Sequence, residues 1–213
     1  MIKDIGAEYI GSIEDAHLAT HVIASDGNDP MRRTSKLMIS LCTTSNILKI
    51  EWLVESAKAQ QILDTDEFLL LDDVEAEKKY EFSMKETIES GALARENIGG
   101  VLGGRCVYIY QDAVETLCRG VPRNKDTILK ELHLIIKAAG GSVMELLPNL
   151  SSNHHNTVLL TDQTESSVST DGMVGAKIMT SSEFLRMMIT QNPYFGMCIC
   201  LYSFFFYVQY PLL

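Results

Sequence analysis

At 213 residues the chain has room for one large domain or two small ones, and 46% hydrophobic with 22% charged residues is an ordinary balance for a globular protein. A formal net charge of −10 excludes sequence-independent binding along a nucleic-acid backbone, which requires the neutralisation of many phosphates; a local basic cluster can still hold one or two. The five cysteines (Cys42, Cys106, Cys118, Cys198, Cys200) form no C-x-x-C pair, and the five histidines stand near none of them at ligand spacing, so reduced, buried thiols in an intracellular compartment are expected, with no metal or other cofactor.

In chain order, "MIKDIGAEYI" carries neither a basic n-region nor an apolar h-region, so no secretory signal is visible. "EYIGS" and "THVIAS" are short β-favouring runs, and "DGNDP" punctuates them as a loop. "MRRTSKLMISLC" predicts a helix with an apolar stripe through Leu37, Ile39 and Leu41. "NILKI" predicts a strand, and "EWLVESAKAQQ" a second helix with Trp52, Leu53, Ser56 and Ala57 on one face. The charged stretch that follows reads as a surface connection in its acidic first half, then as a short amphipathic helix, "SMKETIESGALA", through Met84, Ile88 and Leu93.

A boundary is expected near residues 97–100. Beyond it "RCVYIY" predicts a strand, "KDTILKELHLIIKAAGG" a helix closed by a glycine pair, "SVMEL", "NTVLLTD" and "AKIMT" three strands, and "SSEFLRMMITQ" a last helix. The order in the second half repeats that of the first. "GAEYI…THVIAS…ILKIEWLVES" parallels "GGSVMEL…NTVLLTD…AKIMTSSEFLRMM", with Trp52 in the place of Phe184. Two copies are too few for a solenoid, so paired α/β units with parallel strands are expected.

The tail from Tyr194 has no charged residue for 20 positions. Its length is close to a membrane span, yet it holds Gly196, Gln209 and Pro211 and lacks flanking Lys or Arg; a read-through segment foreign to the fold and a tail anchor are the two readings, the first favoured. Other motifs carry less. "GGVLGG" at 99–104 precedes its strand and so lacks the strand-turn-helix context of a dinucleotide site; it predicts a turn into the second unit. His154 and His155 sit in a polar loop with no ligating neighbours, and Cys118, beside Arg119 and near Arg123, has no histidine partner in sequence. No catalytic constellation stands out, and a non-enzymatic protein is expected.

The order "THVIA", "RRTSK", "ILKIEWL", with "GGVLGGRCVYIY", "AAGGSV", "TSSEFL" and the connecting "DDVEAEKKYEFSMKETIESGA", resembles a tandem BRCT repeat over residues 2–191. The resemblance implies an α/β fold of two BRCT repeats, each a small parallel sheet flanked by helices: repeat 1 over 1–71, a linker with a short helix over 72–98, repeat 2 over 99–191, and the apolar tail from 192 to 213. It also implies that repeat 1 is N-terminally truncated, lacking its first strand and the loop that in such pairs supplies a serine or threonine and a glycine N–H to a phosphate.

Tandem pairs of this type bind phosphoserine peptides at the start of the first repeat's second helix, and their lysine and threonine match Lys36 and Thr34. A helix N-terminus with an added ammonium is a natural anion site. The resemblance assigns Arg33 to the third residue after the phosphoserine, through its main chain or carboxylate, which suits a planar guanidinium. It places Met38 at an apolar wall for that residue, although methionine on a helix stripe is more often core. Trp52 is expected in the core.

The implied function is phosphoserine-peptide recognition by a scaffold of the nuclear DNA damage response. The expected partner is a phosphoserine-containing protein, a phosphorylated histone tail among the candidates, with neither sequence-specific nucleic-acid contact nor membrane association. The alternatives are a phosphate-independent interaction module and a BRCT fragment of a larger DNA repair protein.

Overall fold

Two parallel β-sheets organise the chain in the computed structural model, which describes residues 1–25, 29–147, 155–163 and 175–193. The first sheet pairs β1 (Val22–Ser25) with β2 (Ile47–Lys49). Between them runs α1 (Ser35–Thr43), and α2 (Ile50–Ala59) follows β2 directly. The second sheet holds β3 (Cys106–Ile109), β4 (Ser142–Met144), β5 (Thr157–Leu160) and β6 (Lys177–Met179) in the order β4-β3-β5-β6, all parallel. Helices α5 (Gln111–Cys118) and α6 (Lys125–Ala138) connect β3 to β4, and α7 (Ser181–Thr190) follows β6 as α2 follows β2. Parallel neighbours require such crossovers, and helices on the faces bury the strands between them.

The linker is more structured than its charge suggests. Where the sequence reads as a surface connection, α3 (Val74–Tyr80) forms, its first turn capped by the Asp73 carboxylate, which accepts from the Ala76 N–H at 3.0 Å; Leu70 and Ala76 are buried. α4 (Met84–Ile98) outruns the predicted short helix, and Leu93, placed on its apolar face, is instead exposed. After the fully buried Met84 the buried stripe is made of small residues, Thr87, Gly91 and Ala94, so the backbone of α4 comes close to α1 and α7. Arg95 extends from this stripe, donating to the Leu41 carbonyl at 3.0 Å and to Ser45 Oγ.

Three further departures have local causes. "EYIGS" forms no strand, because among the described residues no strand lies beside it to complete a ladder. α1 begins at Ser35 rather than Met31: Thr34 adopts an extended conformation and its hydroxyl accepts from the Leu37 N–H at 3.2 Å, which fixes the helix start four residues late. Helix α5, unpredicted, occupies "QDAVETLC". The "GGVLGG" turn forms as expected: Gly100 has φ +114°, and a Cβ there would lie 2.4 Å from the Ala139 carbonyl oxygen, so the end of the linker packs backbone to backbone on the end of α6.

The largest core cluster spans both units. Met38, Ile39 and Cys42 of α1 pack with Leu132, Ile135 and Ile136 of α6 and Met187 and Met188 of α7. A second cluster joins Met31, Leu37, Leu41, Ile47, Leu70 and Met84 with Ile189 from the far unit. A third holds Ile5, Leu48, Trp52 and Leu53, which puts Trp52 in the core as expected. Of the described thiols only Cys42 is buried; Cys106 and Cys118 are half-buried, against the expectation of buried thiols, and all three are free. Burial pushes the Cys42 thiol up to about 11, so it stays protonated as a core residue while Gln191 Nε2–H donates to it at 3.3 Å. Among the described residues no helix is long and apolar enough to cross a membrane; His154, most of the loop after Gln163 and the tail from Tyr194 lie outside them.

Candidate functional site

The segment before α1 is held from both sides. Its Met31 side chain is buried, and the Met31 N–H donates to Asp73 Oδ2 at 2.7 Å, so the carboxylate that caps α3 also clamps the approach to α1. Arg33 lies half-buried over the Tyr80 ring, its guanidinium carbon 5.1 Å from the centroid, and its backbone N–H donates to the Tyr80 hydroxyl at 3.5 Å. Burial lowers the guanidinium pKa, partly offset by Tyr80; the group keeps its charge. Arg32, exposed, pairs with Asp29 at 3.6 Å.

Thr34 and Lys36 meet at the first turn of α1. With the Thr34 hydroxyl occupied by the Leu37 N–H, and the Thr34 carbonyl accepting from Met38, the N–H groups of Ser35 and Lys36 donate to no acceptor among the described residues. They are two of the helix's unsatisfied donors, and they carry the positive end of its dipole. The Lys36 ammonium turns back along this end and donates to the Gly11 carbonyl. Thr34 and Lys36 thus sit at the mouth of an open cleft of about 1240 Å³ whose other walls come from residues 7–11, β1 and the Trp52 face of α2. Glu131 of α6 accepts from the Ser35 hydroxyl and is paired with Arg123, which neutralises it, while Glu8, Asp15 and Asp29 also line the cleft.

The four residues singled out from the sequence therefore divide. Thr34 and Lys36 come together at an exposed, donor-rich helix start. Arg33 faces the linker helix instead of the cleft, and Met38, only 4% exposed, lies in the core against α6 rather than on a surface wall. Asp73 and Tyr80, which position the whole segment, escaped sequence reasoning because they belong to a linker read as solvated; the only available signal was the helix-capping pattern of Asp73 before "VEAEKKY".

Paired parallel α/β units, joined by a helical linker and sharing one core across α1, α6 and α7, define the class. The BRCT5-BRCT6 domains of S. pombe Brc1 match this structure with a TM-score of 0.63 at 18% identity, covering 90% of this chain and 85% of that one, so the fold is that of a tandem BRCT protein. Among curated proteins, PAX-interacting protein 1 of Bos taurus is 29% identical over 136 residues, and mediator of DNA damage checkpoint protein 1 of Rattus norvegicus is 26% identical over 159. These alignments take in 64% and 74% of this chain but 12% and 10% of the relatives' lengths. No protein-family model matches the sequence.

Proposed function

We propose that the chain is a phosphoserine-peptide recognition module, non-enzymatic and nuclear, acting as an adaptor in the DNA damage response. The names of its relatives, one a mediator of a DNA damage checkpoint, support the setting. The observation that carries the binding reading is the first turn of α1, where the Ser35 and Lys36 N–H groups find no acceptor among the described residues and the exposed Thr34 and Lys36 side chains stand beside them.

On this reading the phosphate takes the N–H groups and draws the ammonium away from the Gly11 carbonyl, exchanging a neutral acceptor for a charged one. Arg33 contacts the peptide three residues further on after leaving the Tyr80 face, and Met38 supports the groove from beneath α1. The repeats of this proposal span 1–71 and 99–191, with 72–98 as the linker. The partner is a phosphoserine-containing protein.

The test is a titration of a fluorescent phosphoserine peptide and its unphosphorylated twin. The phosphorylated form should bind more tightly, and Lys36→Met should weaken it by about 10- to 100-fold, the worth of a charge-assisted hydrogen bond. Equal binding of the two peptides, or no effect of Lys36→Met, would sink the reading in favour of phosphate-independent interaction.

A further inference from the structure

We infer that Ser35 is a phosphorylation site for a kinase that reads arginines ahead of its target, and that the phosphate so installed takes the first turn of α1 and shuts it to phosphorylated ligands. This regulation rests on the reading of that turn as a phosphate site. Arg32 and Arg33 are the chain's one pair of adjacent arginines, and they stand three and two residues before Ser35. A kinase whose peptide channel is lined with carboxylates holds two guanidinium groups at such a spacing in fork geometry, and so brings that serine to its phosphoryl donor. Thr34 sits one place too near the pair. Residues 31–34 lie outside the helix, Thr34 with an extended backbone, and the Arg32 side chain is 79% exposed. Arg33 must lift off Tyr80 to be read, the same release that peptide binding asks of it.

ATP supplies the phosphoryl group. The Ser35 Oγ–P bond forms as the β–γ anhydride bond breaks, ADP leaves, and the hydroxyl proton, now donated to Glu131 Oε2 at 2.5 Å, passes to the kinase's base. The product has no proton on Oγ for Glu131 and carries about two negative charges. Glu131 therefore repels it, and Arg123, which pairs with the same Oε2 at 2.5 Å, stays to neutralise that carboxylate. At the helix start the Ser35 and Lys36 N–H groups, which donate to no acceptor among the described residues, stand beside the Lys36 ammonium. The phosphate turns to them, and Lys36 exchanges the neutral Gly11 carbonyl for a doubly charged partner. Glu8, Asp15 and Asp29 line the cleft beyond, Asp29 already paired with Arg32. Covalent attachment gives this phosphate an effective concentration on the order of millimolar, against which the phosphate of a dilute peptide competes poorly.

The 213-residue chain is treated with ATP and the catalytic subunit of cyclic-AMP-dependent protein kinase, an arginine-directed enzyme, and the phosphate is mapped by mass spectrometry. It should fall on Ser35, and Arg32→Gln, which removes an exposed guanidinium, should slow the transfer at least about tenfold. Titrated by phosphorus NMR, the second pKa of the phosphate should lie below its ordinary value of about 6 and rise toward it in Lys36→Met. Affinity for the fluorescent phosphoserine peptide should fall at least about tenfold on phosphorylation, whereas kinase treatment of Ser35→Ala should leave that variant's own affinity where it was. Phosphate on Thr34 or elsewhere in place of Ser35, transfer indifferent to Arg32, a second pKa indifferent to Lys36, or equal affinity before and after treatment overturns the inference. Failure of the unmodified chain to bind the phosphoserine peptide sinks the proposed function alone, since the position of the phosphate and its titration are read without any peptide.

Discussion

β1 and β5 hold equivalent places in the two sheets and are built from similar residues, "VIAS" and "TVLL", yet every residue of β5 is buried and every residue of β1 is only half-buried. Composition does not separate them. What differs is the neighbour: β5 has a strand on each side, β1 on one. A parallel strand owes its burial as much to the strands beside it as to the helices above and below, so an apolar run is a statement about a site in a sheet and not about a depth in the protein. The first sheet compensates from outside, through α4 of the linker, α7 of the second repeat and the shared clusters around α1.

The comparison breaks most visibly under matched truncations. Leu160→Ala in β5 empties a fully buried position in the main cluster and should cost about 3 kcal/mol. Ile23→Ala in β1, on a half-buried side chain, should cost about 1 kcal/mol because less apolar surface leaves the interior. Urea denaturation of both variants measures the gap. Equal losses would mean that β1 is as deeply engaged as β5.

The external support is tested next. Arg95→Met removes the guanidinium that ties α4 to the Leu41 carbonyl and Ser45 at the end of α1, and about 2 kcal/mol should go with it, the scale of hydrogen bonds from a charged donor. Hydrogen exchange localises the effect: α1 and β1 should open more readily while β3 and β5 keep their protection. Uniform acceleration through both sheets would show that the repeats unfold as one body and that the asymmetry between them is only one of exposure.

The sequence was most legible in the second repeat, where strand and helix signals were strong and where each element found the neighbour it required. "NTVLLTD" reads as a buried strand and is one; "EYIGS" has comparable β-favouring residues and forms none, because pairing is a property of two segments. The capped start of α1 was present in the letters as Thr34 three residues before Leu37, but the helix was read as beginning at Met31, ahead of that cap. At the candidate site, Lys36 and Thr34 were singled out by the resemblance to a tandem BRCT repeat; the basic cluster in an acidic chain marked only the place to look. Asp73 and Tyr80 were missed because their roles depend on a linker folding back over 40 residues against the segment it positions. Leu93 was misplaced for a related reason: beyond Met84, which is buried as read, the face of α4 that packs is set by the small residues Thr87, Gly91 and Ala94, which admit a close helix.

The smallest effect concerns the first repeat alone. His21 stacks on Trp52, with ring centroids 4.7 Å apart, beside the half-buried strand β1, and burial lowers its pKa from the usual value of about 6.5. Its neutral form is the one the fold accommodates. As pH falls below about 6.5 the unfolded chain therefore takes up a proton before the folded one does, and stability declines until the folded-state pKa is passed, after which this contribution is flat. His21→Phe keeps an aromatic ring against Trp52 and removes the titration. Between pH of about 7.5 and 5.5 the melting temperature of the wild-type chain should drop further than that of the variant, the difference arising below the ordinary histidine value. Trp52 emission should report the same transition, since the ring it stacks on is the one that charges. Parallel melting curves for the two proteins would show that the acid sensitivity does not come from His21.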